Sequence, residues 1–188
     1  SQATIYTITE CKFIRNINTG DLNGGVIGYV PSTVKPVSTY KVALEFLDCY
    51  FEDNRVKDGF YGGALYINAP LKPVLIDNCV FNNKMTEGAA KRGGAIYISG
   101  NTSAKITITN SRFTSMKASE SNNYNGNAIH IDLGASDVLI EGCNFVDCGT
   151  QGATIFSNGE KVVFSSSTVT FTSTSASCRG VCIQTTCD

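Results

Sequence analysis

Apolar residues recur along the chain in short strand-like segments, each ending in a polar turn and a closing apolar residue. The clearest copy is 74–81, in which Val74 and Ile76 stand seven and five positions before the closing Phe81. The same two positions are apolar in all six copies, and a spacing of two residues is the period of a β-strand. These rows are therefore predicted to form one wall of a core. The closing residues are Phe13, Phe51, Phe81, Phe113, Phe145 and Val169.

A second motif, rich in glycine, alternates with the first. Its clearest copy, 93–98, reads Gly-Gly-Ala-Ile-Tyr-Ile, and close copies stand at 62–67 and 126–131. The paired glycines are expected to allow either a positive φ or a close approach between neighbouring chain segments. Asn127 is expected to replace one of them because asparagine tolerates the left-handed region. Looser copies begin at Gly24, Gly152 and Gly180.

The glycine-rich strand is predicted to have an inner and an outer row, because side chains alternate along a strand. We assign Ile96 and Ile98 to the inner row. Tyr66, Tyr97 and His130 would then form the outer row, which we interpret as a surface ladder in preference to an aromatic binding strip.

The spacing of the copies indicates a solenoid. Successive closing residues are 38, 30, 32, 32 and 24 positions apart, and a motif with a period of roughly 20–50 residues is typical of solenoids and propellers. A propeller blade needs four antiparallel strands, whereas each repeat here offers two or three short ones. We therefore predict an all-β fold, a single-stranded right-handed parallel β-helix of about six coils. It would form one domain over residues 1–188.

Composition and charge exclude several functions. A net charge of −1 gives no electrostatic reason to expect nucleic acid as a partner. No apolar run approaches membrane-spanning length, and no cofactor motif is recognised. The chain starts at Ser1 without a methionine, which favours a segment cut from a longer protein over a processed mature chain.

The eight cysteines form two sets. An even number of cysteines is typical of a secreted protein. Four of them stand two positions before a closing residue, where the other copies have serine, and we interpret these as packed free thiols: Cys11, Cys49, Cys79 and Cys143. The second set lies near the C-terminus, and its spacing without a nearby histidine is a poor zinc pattern. From it we predict three candidate disulfide cysteines, Cys148, Cys178 and Cys187.

The sequence contains no recognised set of catalytic residues. Glycoside hydrolysis needs two carboxylates at a defined separation, and the Asp-Asp and Gly-His pairs of polygalacturonases are missing. Asp132, Asp137, Glu141 and Asp147 are spread over one coil and are interpreted as turn-forming or solvated acids. We therefore predict that the chain is not an enzyme. The alternative from another class is a polysaccharide lyase or glycoside hydrolase, since β-helices also house such enzymes.

Polar segments between each closing residue and the next glycine-rich strand are the candidate binding sites. They cover 14–23, 52–61, 82–92 and 114–125. Stacking of the coils would gather them along one edge, and loops on a rigid scaffold commonly carry function. The candidate binding residues on this edge are Asn16, Arg55, Lys57, Lys84, Lys91, Arg92, Lys117 and Tyr124. Asn101 begins a glycosylation sequon in a different turn.

The two motifs together resemble the repeats of the polymorphic outer membrane proteins of chlamydiae. Segments 62–65 and 93–96 match Gly-Gly-Ala-(Ile/Leu), and 13–16 and 51–54 match Phe-x-x-Asn. The other copies depart from Phe-x-x-Asn: Lys84, Met116 and Cys148 replace the asparagine. The resemblance implies a β-helical passenger domain that is surface-exposed and used as an adhesin, without catalytic residues.

These observations lead to one functional expectation. The chain is expected to be an extracellular or cell-surface module with an adhesive or structural role, whose partner is a protein or a glycan. The first strand begins at 3–6 without a preceding capping helix, and a β-helix presents unpaired backbone at its ends. We therefore expect the N-terminal face to be covered, either by further coils of a longer protein or by end-to-end association with another copy.

Overall fold

The computed structural model describes residues 5–29, 44–57, 59–68, 70, 72–85, 89–100, 104–119, 126–135, 137–149, 152–170 and 181–185. All regular secondary structure in these residues is β-strand. The first two coils contain β1 (Tyr6–Thr9), β2 (Lys12–Ile14), β3 (Ile17–Asn18), β4 (Ile27–Tyr29), β5 (Leu44–Leu47), β6 (Tyr50–Glu52), β7 (Arg55–Val56) and β8 (Leu65–Asn68). The other four contain β9 (Val74–Asp77), β10 (Val80–Asn82), β11 (Ile96–Ser99), β12 (Ile106–Thr109), β13 (Arg112–Thr114), β14 (Gly126–Ile131), β15 (Val138–Glu141), β16 (Asn144–Val146), β17 (Ala153–Ser157), β18 (Val162–Ser165), β19 (Thr168–Thr170) and β20 (Val181–Thr185).

The strands form three six-stranded sheets in which every pairing is parallel. The first sheet has the order β1-β5-β9-β12-β15-β18, the second β2-β6-β10-β13-β16-β19 and the third β4-β8-β11-β14-β17-β20. Each strand therefore pairs with the equivalent strand one coil away, while β3 and β7 form a small fourth ladder. This is a parallel β-helix of six coils, as predicted.

The residues of each predicted apolar row pair with one another in the parallel sheets. Phe81 pairs with Phe51 on one side and Phe113 on the other, and Ile76 pairs with Phe46 and Ile108. The side chains of all six are at most 2% exposed. The core is thus a column along the axis of the helix, in which equivalent residues lie on one another.

The polar turn between the first and second sheets has one backbone conformation in all six coils. Its residue is in the left-handed region, with φ between 49° and 55° at the five non-glycine positions and 63° at Gly142. Asparagine and aspartate adopt this region more readily than most residues, which explains the polar turn after each strand. The five non-glycine positions are Glu10, Asp48, Asn78, Asn110 and Ser166.

The paired glycines meet both of the requirements predicted as alternatives, a positive φ and a close approach between neighbouring chain segments. Gly93 has a φ of +61°, whereas a Cβ on Gly94 would lie 2.3 Å from the backbone oxygen of Asn127. The first glycine therefore makes the turn, and the second lets two coils approach. The expectation for Asn127 was wrong: it occupies the close-approach row and has no positive φ. Its side chain bonds the backbone instead, donating to Ala153 O at 3.0 Å and accepting from Ala118 N at 3.1 Å.

The first coil is much less buried than the middle coils. Tyr6 is 63% exposed and Ile14 is 47% exposed, while Ile8 and Phe13 are only partly buried. The N-terminal end of the apolar column is therefore open to solvent in this chain.

Candidate binding surfaces

The candidate edge loops are tied together by backbone hydrogen bonds. The Arg55 N–H donates to Asn16 O at 2.9 Å, which places β7 against β3. The ladder continues from Val56 N to Ala89 O and from Ala89 N to Lys117 O, both at 3.0 Å. The structure therefore gathers the described parts of the four loops along one edge, as predicted, and holds them in fixed positions. We call this surface the loop edge.

Asn54 fixes the start of the loop edge. Its amide Nδ2 donates to Phe13 O at 2.8 Å, and its Oδ1 accepts from the backbone N–H and from Nδ2 of Asn16 at 3.0 and 2.8 Å. Asn54 is only 5% exposed, so the loop is anchored from inside. The candidate Asn16 is itself exposed, but its side-chain amide bonds Asn54 and so helps to hold the loop.

Two candidate lysines pair with acids on the same edge. Lys57 Nζ lies 2.8 Å from Asp21 Oδ1, and Lys84 Nζ lies 2.7 Å from Glu52 Oε2. The hydrogen bond from Lys84 lowers the pKa of Glu52, with a smaller contribution from the Tyr50 hydroxyl. The same contact raises the pKa of Lys84. Since both lysines remain more than half exposed, the pairs orient the side chains and contribute little to stability.

The other candidates on the loop edge are partly exposed. Lys91 Nζ lies over the ring of Tyr61, 5.9 Å from its centroid, and Arg55, Arg92 and Lys117 are half-buried. The remaining candidates, Tyr124 on this edge and the sequon residue Asn101, lie outside the described residues. Over their full sequence the four loops contain seven basic and six acidic residues, so the edge has mixed charge and does not favour a polyanion.

The outer row of the third sheet is a stack of rings. Tyr66 and Tyr97 are 5.6 Å apart, Tyr97 and His130 are 4.8 Å apart, and His130 and Phe156 are 4.9 Å apart, with interplanar angles of 2–19°. The interpretation as a surface ladder was wrong for most of its length. Tyr97, His130 and Phe156 are at most 3% exposed, and only Tyr66 is half-buried.

Residues from elsewhere cover Tyr97. The ring of Tyr61 stacks on the ring of Tyr97 at a centroid distance of 4.6 Å. The hydroxyl of Tyr97 donates to Asp132 Oδ2 at 2.6 Å. Burial and the neighbouring carboxylate raise the pKa of Tyr97 well above its usual value. Tyr97 is therefore a neutral structural residue, and sequence reasoning missed its cover because Tyr61 belongs to a loop.

The outer row ends in a cleft at the first coil. Gly28 pairs with Tyr66, so the row has no side chain next to the ring of Tyr66 on that side. The loop before β4 forms the opposite wall, and the cleft has a volume of about 400 Å³. The sequence contained this signal, because the first copy of the glycine-rich motif has Gly28 where others have an aromatic residue. The described lining residues are Asn18, Asp21, Leu22, Asn23, Gly24, Val26, Gly28, Tyr66 and Asn68.

Asp77 and Asp137 are two described acidic residues that make structural contacts. Asp77 accepts hydrogen bonds from Thr109 Oγ1 at 2.7 Å and Asn110 Nδ2 at 2.9 Å, and Asp137 lies 3.5 Å from Lys161 Nζ. Within the described ranges there is no group of three or more His, Cys, Asp or Glu side chains that could hold a metal ion. Nor do those ranges contain a helix able to cross a membrane.

Five cysteines are free thiols: Cys11, Cys49, Cys79, Cys143 and Cys148. The packed-thiol interpretation of the first four is confirmed. Cys148 is a correction, because it was predicted to form a disulfide. It is 1% exposed and its Sγ donates to Phe113 O and Val146 O at 3.5 Å, so it points into the core. The other candidate disulfide residues, Cys178 and Cys187, lie outside the described residues.

Three stacked parallel sheets around one apolar column define the class of this protein, the parallel β-helix solenoids. The family model for the right-handed β-helix region matches residues 45–188, and the chain belongs to that family. The match confirms the predicted right-handed fold and leaves the specific chlamydial repeat unconfirmed. No curated protein and no solved structure matches the chain.

Proposed function

We propose that the chain is a non-enzymatic β-helical module with an adhesive or structural role at a cell surface or outside the cell. The observation that carries the proposal is the loop edge. Its backbone is hydrogen-bonded across four coils, and its lysine and arginine side chains are partly or fully exposed. A surface that is already ordered loses little conformational entropy when it binds, and solenoids commonly bind along such extended surfaces.

The mixed charge of the loop edge favours a protein or glycan partner over nucleic acid. Hydrogen bonds from fixed amides and lysines would give specificity, since exposed ion pairs contribute little affinity. The structural use of Asp77 and Asp137 supports binding without turnover. The five cysteines described as free thiols give no disulfide support for an extracellular setting. That setting now depends on the resemblance to chlamydial surface proteins.

A binding screen run beside a turnover assay tests the proposal. The immobilised chain is exposed to cultured cells, extracellular-matrix proteins and a glycan panel, and polysaccharides incubated with the chain are analysed for new reducing ends and unsaturated ends. We expect specific retention without depolymerisation. Turnover of a polysaccharide would contradict the non-enzymatic role.

Two sets of lysine substitutions locate the surface. Lys57→Ala, Lys91→Ala and Lys117→Ala combined should weaken retention by about tenfold or more, because three hydrogen-bonding cations leave the contact. The matched control combines Lys105→Ala and Lys161→Ala, two exposed lysines outside the loop edge. Equal retention by both variants would place the contact elsewhere on the solenoid.

A further inference from the structure

We propose that the cleft beside Tyr66 is a binding site for one neutral pyranose unit of a glycan. The proposal names a ligand class for the binding role above and rests on that role. It uses a surface other than the lysines of the loop edge.

One side of the cleft is an aromatic ring. Tyr66 stacks on Tyr97 with one face of its ring, at 5.6 Å and an interplanar angle of 18°. Its other face is directed to the first coil, where the paired residue is Gly28. The rings behind Tyr66 hold it in place, so its open face is a fixed flat apolar surface. The apolar C–H face of a pyranose has the size and shape to lie on such a ring.

The opposite wall of the cleft is held by hydrogen bonds. Asn18 Nδ2 donates to Leu22 O at 3.0 Å and to Gly24 O at 3.2 Å, and its Oδ1 accepts from Gly20 N at 3.0 Å. A Cβ on residue 28 would lie 2.8 Å from Asn23 O, so the wall requires glycine there. The same glycine keeps the face of Tyr66 open.

The cleft also contains side-chain amides that can bind hydroxyl groups. Asn68 Oδ1 accepts from Ser99 Oγ at 3.2 Å, and Asn23 Oδ1 accepts from Tyr61 N at 2.9 Å. These bonds fix both amides while leaving each Nδ2 without a hydrogen-bond partner among the described residues. Two amide donors that line the same cleft as the Tyr66 ring can bind hydroxyl oxygens of a sugar.

The charge and volume of the cleft narrow the ligand. None of its described lining residues is Lys, Arg or His, and Asp21 contributes a carboxylate that pairs with Lys57. An anionic sugar such as a uronic acid is therefore disfavoured. A volume of about 400 Å³ is at the lower end of small-molecule sites, which span about 300–1,000 Å³, and suits one ring with its substituents.

Nuclear magnetic resonance on the full chain tests the site. A panel of methyl pyranosides, with a uronic acid and a proline-rich peptide as comparison ligands, is titrated into isotope-labelled protein. We expect a neutral pyranoside to shift the amides of Gly28 and the side-chain amides of Asn23 and Asn68, and to show cross-relaxation with the Tyr66 ring. Shifts caused only by the peptide, or no shifts at these residues with any pyranoside, would overturn the proposal.

Variants assign the contact to the ring. Tyr66→Ala should weaken binding by about tenfold or more, whereas Tyr66→Phe keeps the face and should bind within about threefold of the parent chain. Tyr6→Ala is the matched control, an exposed tyrosine of the first coil outside the cleft. Unchanged binding by Tyr66→Ala would overturn the proposal. The cross-relaxation of the parent chain decides the question if that variant does not fold.

The two proposals fail in different ways. A Lys91→Ala, Lys117→Ala variant, which keeps the pair between Lys57 and the cleft residue Asp21, should bind the pyranoside as the parent chain does. Loss of sugar binding at the cleft with retained lysine-dependent adhesion would refute the cleft alone. An oligosaccharide can be titrated in the same way. If new reducing ends then form, the non-enzymatic role is refuted, whereas the cleft remains a sugar site.

Discussion

The rings of Phe81 and Phe113 lie parallel and 4.8 Å apart, with an interplanar angle of 3°. This distance matches the separation of paired strands, about 4.7–4.9 Å, so the hydrogen-bonded ladder sets the spacing of the rings. The same relationship joins Phe51 to Phe81 and Phe113 to Phe145 at 4.7 Å. A substitution in one coil therefore disturbs both of its neighbours.

Truncation of Phe81 tests the importance of this column. Phe81 is fully buried, and Phe81→Ala should lower the free energy of unfolding by about 3–5 kcal/mol, because it removes apolar contacts on two sides and leaves a cavity. The matched change is Lys84→Ala, three residues along, whose exposed pair with Glu52 should matter much less. Denaturant titration followed by circular dichroism measures both. Equal midpoints would show that the stacked ring contributes no more than a surface lysine.

A second prediction concerns the glycine that lets two coils approach. In Gly94→Ala the new Cβ would meet Asn127 O at 2.3 Å and Lys117 O at 2.5 Å, two backbone atoms that cannot move aside as a side chain would. We expect a loss of at least about 1–3 kcal/mol, the usual cost of overpacking. Gly20→Ala is the control, since its nearest contact is 3.4 Å and its φ is not positive. Thermal unfolding of both variants gives the comparison.

The repeat could be predicted from sequence because its cause is local to each strand. Val74, Ile76 and Phe81 are apolar at a spacing that only a strand satisfies, and the same spacing in every copy requires in-register stacking. The turn asparagines and aspartates follow from a left-handed φ, which these residues tolerate. The loops gather on one edge for the same reason, since they leave equivalent positions of stacked coils.

Burial of the outer row could not be predicted in this way. Whether Tyr97 is exposed depends on the position of Tyr61, a loop residue whose conformation the strand pattern does not specify. The role of Asn127 could not be predicted, because the sequence does not show which residue of a glycine pair makes the turn and which lets two coils approach. Cys148 was misjudged because its neighbourhood along the chain suggested a C-terminal cluster, whereas its side chain faces the core.

The buried thiols give the chain a pH dependence in alkaline solution. Burial raises the pKa of Cys79 and Cys148 to about 12 and that of Cys143 to about 11, from an unfolded value near 9. These groups therefore stay protonated in the folded chain after they ionise in the unfolded one. Stability is unaffected by them below pH 9 and should fall as the pH rises from about 9 to 12. Because the thiolate is the reactive form, native alkylation near pH 8 should be slow.

Cys79→Ser is the matched variant for this pH dependence. The next coil already has Ser111 at the equivalent position, where its hydroxyl donates to Thr109 O at 2.8 Å. Serine does not ionise in this range, so the variant should lose less stability than the parent chain between pH 9 and pH 11. Chemical denaturation at several pH values measures the difference. Parallel curves for the two chains would contradict the assigned titration.

Removal of the Asn54 side chain tests the rigidity of the loop edge. Asn54→Ala leaves Phe13 O and both Asn16 donors without their partner, and the loss of buried hydrogen bonds should cost about 1–3 kcal/mol. The backbone amide of Asn16 should then exchange faster with solvent. Asn110→Ala, at an exposed turn, should leave that amide unchanged. Equal protection of Asn16 in both variants would show that β3 and β7 hold the loop without Asn54.

The last prediction concerns the open N-terminal face. The outer edge of β1, β2 and β4 has no strand beside it among the described residues, and the apolar side chains of Tyr6 and Ile14 are 63% and 47% exposed. An unpaired edge above an open apolar column is a template for another chain, so we expect self-association that rises with concentration. Tyr6→Lys with Ile14→Lys should suppress it, because charges on an edge oppose pairing. Leu133→Lys is the control, since this residue is 73% exposed and lies far along the solenoid from the first coil. Sedimentation velocity over a range of concentrations measures the association, and a parent chain that remains monomeric throughout would refute it.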